Sequence, residues 1–234
     1  MFTIGSIKER FYGEKYQSPF RRFTEEAKKL AEPDMVVFHA GCGADTTIEF
    51  RKIVRMTIGM DYDLWIAQNT DLDFALLGDL TFFPFKPESL DLIAARWVME
   101  HLEFPLTFFK ETYRTLKFGG RLIVMTPNLW NYATLITKYS PHSFQKWYVK
   151  NLLRKEPEEV YRVFYRANTK NRLRKYASQA GLKVEQIQLF EGAPNLLGFT
   201  SLTFLLGVFC ERIVMRYEAL TNFRGAIIAT FSKV

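Results

Sequence analysis

The chain has 234 residues, 48% of them apolar and 16% aromatic. That is enough for one α/β domain with a full core, and no internal repeat or low-complexity tract argues otherwise. Two cysteines, Cys42 in a glycine turn and Cys210 in an apolar run, exclude a disulfide framework and fit a reducing, cytoplasmic compartment. The net charge of +7 is local: residues 128–175 carry eleven Lys and Arg against three Glu, and the rest of the chain is close to neutral.

The first residues lack the charged-then-apolar layout of a signal peptide. Residues 18–32 read as a helix with Phe23, Ala27 and Leu30 on one face, stopped by Pro33-Asp34. From 35 to 126 short apolar runs near 35–40, 56–61, 74–78, 90–96 and 120–126 read as strands, with helices expected between them. That alternation argues a parallel sheet with helices on both faces. Right-handed crossovers then bring every strand's carboxyl end to one edge.

Residues 128–168, rich in Trp, Tyr, Lys and Arg and carrying Pro141 and Pro157, read as an insertion of short helices over the site. Thr169 caps a helix that Gly181 stops, with Leu173, Tyr176, Ala177 and Ala180 as its stripe. Runs 184–190 and 226–231 read as the last two strands. Between them, residues 192–210 are nineteen positions without a charge, continued by an amphipathic Glu211–Arg216. Length alone permits a membrane span. Pro194, Asn195 and the Thr/Ser cluster argue against one and leave two readings, a membrane-interface segment or a buried substrate wall or dimer face. The whole is read as a single domain, 1–234, with insertions at about 128–168 and 192–218.

The most informative stretch is Val36-Val37-Phe38-His39-Ala40-Gly41-Cys42-Gly43-Ala44-Asp45, a buried strand ending in a tight glycine turn. A nicotinamide-binding turn wants a third glycine at position 46, which is Thr46. Asp61 ends the next apolar run and Asp79 lies in Leu77-Gly78-Asp79-Leu80. The spacing from Gly43 to Asp61 to Asp79 suits three successive strand ends.

With Ser89-Leu90-Asp91-Leu92-Ile93 leading to Glu100-His101-Leu102, and with Leu116-Lys117-Phe118-Gly119-Gly120, these segments resemble the class I S-adenosylmethionine-dependent methyltransferases. The resemblance runs from about Val36 to Asn128. Phe118 stands where the family usually has proline, and Thr126-Pro127-Asn128 is similar to a subset that includes quinone and other small-molecule methyltransferases. The fold it implies is Rossmann-like, a seven-stranded, mostly parallel sheet in the order 3-2-1-4-5-7-6.

The cofactor it implies is S-adenosylmethionine, leaving as S-adenosylhomocysteine. By resemblance, Gly41 and Gly43, with His39, Ala40 and Cys42, meet the methionine part. Asp61, followed by Tyr62, takes the ribose diol, and Asp79 with the Leu80 amide takes the adenine. Arg96 and Trp97 at the fourth strand's end, and Tyr16 before the first long helix, are further candidates for this site. Packing is the plainer alternative for Trp97 and Tyr16. Two positions depart from the pattern. His39 replaces the usual leading acid and contributes no charge toward an ammonium, and Asp45 replaces the third glycine, where it either compensates or caps the next helix.

An oxygen acceptor must lose a proton, and His101 or His142 is the candidate base, each with a merely structural hydrogen bond as the alternative. No metal-ligand set is read. The expected function is methyl transfer to a small, amphiphilic or lipid-like acceptor, with O-methylation favoured. Contact with anionic membrane at its inner face is the accompanying expectation, and a homodimer stays open. The rival readings are an RNA methyltransferase, with the basic aromatic segment on phosphates and bases, and an inactive binding module of the same fold.

Overall fold

The computed structural model describes residues 3–13, 16–141, 143 and 161–234. They form two compact units: residues 20–126, 164–188 and 227–234 make the larger, and residues 1–19, 127–163 and 189–226 the smaller. The expected base His142 lies outside the described residues, as does most of the basic stretch after it.

A seven-stranded sheet runs through β1 (Val36–Ala40), β2 (Met56–Asp61), β3 (Phe74–Leu77), β4 (Leu90–Arg96), β5 (Leu116–Pro127), β6 (Lys183–Phe190) and β7 (Ala226–Ser232). Its order is β3-β2-β1-β4-β5-β7-β6, as the resemblance implies. β1 pairs in parallel with β2 and β4, and the parallel pairing continues to β3 and β5. β7 turns back: Gly119 N–H donates to Lys233 O and Lys233 N–H to Gly120 O, which sets the end of β7 against the start of β5. β5 begins at Leu116 rather than near 120. Its register slips between the pairs Leu90–Leu116 and Leu92–Arg121, at Gly119-Gly120.

The connections depart from the expected alternation. Between β1 and β2 there is only a 3-10 turn at Phe50–Lys52, and between β2 and β3 another at Leu64–Gln68. Asp, Thr and Ile at 45–48 favour local turns over helix. The Asp45 carboxylate accepts from Thr47 N–H at 3.0 Å, and Asp71 accepts from the Phe50 and Arg51 amides at 2.8 and 3.1 Å, fixing a single turn. Between β3 and β4, Pro84 and Pro87 deny a helix its hydrogen bonds, and none forms.

True helices in this unit are α2 (Pro19–Leu30), α3 (Pro105–Thr115) and α5 (Lys170–Ala180). α5 has the expected ends. Thr169 Oγ1 accepts from Arg172 N–H, and Gly181 takes φ +88° beyond the last turn. The core is aromatic: Phe38, Phe83, Phe108, Phe109 and Phe231 are fully buried and meet edge to face. Truncating one such ring to alanine costs about 3–5 kcal/mol.

The smaller unit holds α1 (Ile4–Tyr12), α4 (Tyr132–Tyr139) and α6 (Ser201–Arg216). α6 takes in residues 201–210 of the uncharged run and continues through Glu211–Arg216, and Thr200 caps it. Phe204 and Val208 pack on Ile7, with Ile4, Phe11 and Tyr12 around them. The opposite stripe is open: Leu202 is 77% exposed and Phe209 63%, with Leu205 and Leu206 between them. No helix among the described residues is long and apolar enough to cross a membrane.

Candidate functional site

The parallel register places Ala40 beside Met60 and Ala95, and Asp61 beside Leu77, so β1 to β4 end on one line. His39, Ala40, Gly41, Cys42, Gly43, Asp61, Tyr62, Asp79, Leu80, Arg96, Trp97 and His101 all fall at or just past that edge of the larger unit.

Gly41 and Gly43 have φ of +63° and +49°. A side chain on Gly41 would strike Val98 Cγ2 at 2.4 Å, so that glycine lets the turn after β4 pack on the loop. At Gly43 the space is open, the nearest atom to an added Cβ being Asp61 Oδ2 at 3.9 Å. The left-handed backbone requires this second glycine, and its bareness leaves a cradle.

Asp61 closes the cradle. Its Oδ2 accepts from Gly43 N–H at 2.8 Å and its Oδ1 from Asp63 N–H at 3.0 Å. Each oxygen keeps a second lone pair, so the carboxylate is both aimed and still able to accept from a vicinal diol. Asp79 is exposed, with Oδ1 accepting from Thr81 N–H at 2.7 Å, which leaves Oδ2 for a ligand. Cys42 is buried beside the loop, and burial, reinforced by the Asp61 charge, pushes its thiol up to about 12. It is not a nucleophile.

His39 is buried inside β1, edge-on to Phe50. Burial and then the Arg96 charge hold its pKa down at about 3, so the ring is neutral. Its Nδ1 has no hydrogen-bond partner among the described residues. Asp45 brings no free charge in compensation, because its carboxylate pairs with the Arg96 guanidinium. Arg96 is buried, donates to Thr47 Oγ1 at 3.1 Å and lies 3.8 Å over the Phe20 ring. It is thereby committed to holding the loop.

Trp97 has φ +57° and remains 39% exposed. A bulky residue is rarely left-handed, and such strain gathers at functional sites. Trp97 N–H still donates to Met125 O at 2.9 Å, so the chain turns sharply away from the sheet there and carries the ring with it. His101 comes next in the same turn, half-buried, its N–H on Val98 O at 2.9 Å.

Two residues that support this site, Asn69 and Asn168, carry no signal in the sequence, and a third, Glu100, showed only in the segment with His101. Asn69 Nδ2 donates to Gly43 O at 3.0 Å and Asp45 O at 2.9 Å, stapling the glycine loop to the segment after β2. Glu100 is buried and accepts from Thr126 Oγ1 at 3.1 Å, and Asn168 Nδ2 donates to that same oxygen at 2.6 Å. Burial pushes Glu100 up to about 8, so it carries its proton near neutrality. Asn168 precedes a recognisable cap and Glu100 precedes the histidine, and neither position has a periodic signal of its own.

Tyr16 belongs to the smaller unit, where its hydroxyl donates to Glu191 O at 3.2 Å and its ring meets Tyr12 edge-on at 4.8 Å. There, Asn128 and Asn131, just past β5, donate to the carbonyls of Asn222, Phe223 and Arg224, which fixes the turn into β7.

Residues 38–124 match the family described as a methyltransferase domain. This stretch carries the glycine loop and Asp61 at the expected strand ends, on a sheet with the order of the Rossmann-like methyltransferase fold. The chain is similar, at 28% identity over 129 residues, to a protein of Mycolicibacterium smegmatis described as a probable S-adenosylmethionine-dependent methyltransferase. That match spans 53% of this chain and about half, 48%, of the relative. Among solved structures, the geranyl diphosphate C-methyltransferase of Streptomyces coelicolor A3(2) shares the fold over 91% of this chain and 74% of its own, with TM-score 0.56 and 14% identity. The [4+2]-cyclase SpnF does so over 91% and 80%, also with TM-score 0.56 and 14% identity.

Proposed function

We propose that the protein transfers a methyl group from S-adenosylmethionine to a small amphiphilic or lipid-like acceptor, on oxygen in preference to other atoms. The observation that carries the donor is the Asp61 carboxylate, fixed by the Gly43 and Asp63 amides beside an open left-handed cradle. Asp61 would hold the ribose diol. Asp79 and the Leu80 amide would hold the adenine, and the loop at Gly41 and Gly43 the methionine part. A bound donor of this kind supplies an electrophilic methyl on sulfur, so the chain's remaining work is to align the acceptor, exclude water and take a proton.

His101 is the residue assigned to that proton, and Trp97, held in its strained turn, is the wall that orients the acceptor. The acceptor class is supported by α6, whose outward stripe of Leu202, Leu205, Leu206 and Phe209 is bordered by exposed Arg212 and Arg216. A helix of that kind lies in the plane of an anionic bilayer, where lipid-like acceptors dissolve. Labelled methyl donor, incubated with the protein and an extract of its source cells, tests the proposal. Label in the organic phase supports it, and label in RNA or protein only rejects the acceptor class.

A second reading has one observation in its favour. With His39 neutral and Asp45 spent on Arg96, the loop presents no negative charge to the donor's ammonium. An inactive binding module of this fold would not bind the donor even at millimolar concentration.

A further inference from the structure

We propose that the smaller unit contains a binding pocket for an amphiphilic cation, an apolar chain or ring ending in a protonated amine. The inference goes beyond methyl transfer and does not require that this ligand be the acceptor. The pocket has a volume of about 300 Å³, and Trp130, Tyr132, Pro194 and Phe223 are among the residues that wall it. Two acids, Glu191 and Glu211, line it as well, and among the described residues no lysine or arginine does. Its size is at the lower end of small-molecule sites, about 300–1,000 Å³.

The acids are what the apolar wall does not explain. Glu211 sits on the inner face of α6 and is buried. The Tyr12 hydroxyl of α1 donates to its Oε2, and among the described residues no second donor reaches it. Glu191 directly follows β6. Its Oε1 accepts from Gly192 N–H at 3.2 Å, and the Gly225 amide bonds the same carboxyl. Burial pushes both acids up to about 7, against the pull of Arg212 on Glu211 and of Arg224 on Glu191.

A carboxyl in an apolar wall is costly to ionise unless a cation arrives with the ligand. An ammonium held in the pocket offsets that cost, and the aromatic side chains in its wall, Trp130, Tyr132 and Phe223, add to the attraction. A carboxylate ligand meets two acids and is excluded. A neutral alcohol can accept or donate one hydrogen bond but gains nothing from the charge. The site therefore discriminates by charge on the head and by size on the chain.

Octylamine, octanol and octanoate titrated into the full-length protein by calorimetry, with no methyl donor present, test this. The expected order is octylamine first, octanol at least tenfold weaker, and no heat with octanoate. Glu211→Gln should weaken octylamine at least tenfold, and the Glu191→Gln/Glu211→Gln pair should reduce it to the octanol level. Leu135→Trp, which fills the pocket and keeps both acids, should abolish binding of both, with an unchanged far-ultraviolet dichroism spectrum in every variant. Octanol or octanoate binding as tightly as octylamine, an unaffected double variant, or no octylamine binding at all would each overturn the proposal. Because donor is absent, none of these outcomes bears on methyl transfer.

Discussion

The Asp45 carboxylate closes on the Arg96 guanidinium, and this pair ties the glycine loop after β1 to the end of β4. Arg96 is buried, whereas the Asp45 side chain keeps 24% of its surface in water. Removing the arginine leaves a half-buried charge with only the Thr47 amide to meet it. Arg96→Met should therefore destabilise the fold by about 3 kcal/mol, the low end for a broken buried pair. Asp45→Asn/Arg96→Met should recover part of that loss. Urea denaturation of the three variants measures both.

Glu100 gives a pH dependence with a definite sign. Its folded pKa is raised to about 8 from 4.5, so the folded state holds this proton more tightly than the unfolded chain. The stabilisation is full below 4.5 and is lost as the pH rises through about 8. For one group the slope is at most about 1.4 kcal/mol per pH unit. His39 acts the other way: its folded pKa of about 3 against 6.5 weakens the fold as the pH falls below 6.5. The measurement is thus a difference, wild type minus Glu100→Gln, from thermal melts across the range. That difference should decline between about pH 5 and 8, and a flat one would remove the buried proton from the account.

At Trp97 stability and activity should separate. Trp97→Gly relieves a left-handed backbone at φ +57°, worth about 1–2 kcal/mol, and gives up a ring that is 39% exposed. The variant should melt higher, bind the methyl donor as before and turn over its acceptor more slowly. Differential scanning calorimetry beside steady-state kinetics decides it.

His101→Gln keeps the turn's backbone and removes a base. Turnover of an oxygen acceptor should fall by about 100-fold or more, and the acid limb of the kcat/KM profile should disappear. Unchanged turnover would leave proximity alone as the source of rate.

Leu206→Glu/Phe209→Glu places two charges on the open stripe of α6, away from Phe204 and Val208. Flotation with anionic vesicles at low salt should be lost, with the melting temperature unchanged. If the wild type itself fails to float, the acceptor is one that dissolves in water.

The strand positions were legible because each strand end carries its own punctuation, Gly41 after β1, Asp61 at the end of β2 and Gly78-Asp79 after β3, while their order across the sheet came from the family resemblance. Thr169 and Gly181 marked α5 for the same reason, a capping oxygen and a left-handed stop. The crossovers after β1 and β2 were not legible. Apolar spacing there resembles helix, and the chain is turned instead by carboxylates, Asp45 and Asp71, bonding amides nearby and about twenty residues away. The Asn69 staple, the Arg96–Asp45 pair and the Glu100–Thr126–Asn168 chain join positions 24 to 51 residues apart and leave no local pattern. Trp97 was visible as an aromatic at a strand end, but its left-handed backbone was not.

The most direct measurement is equilibrium dialysis of labelled S-adenosylmethionine against the wild type and Asp61→Asn. One saturable site is expected in the wild type. A loss of about 100-fold is expected in Asp61→Asn, since about 3 kcal/mol goes with the charged hydrogen bonds to a diol. No binding at millimolar donor, or equal binding by the two proteins, would contradict it.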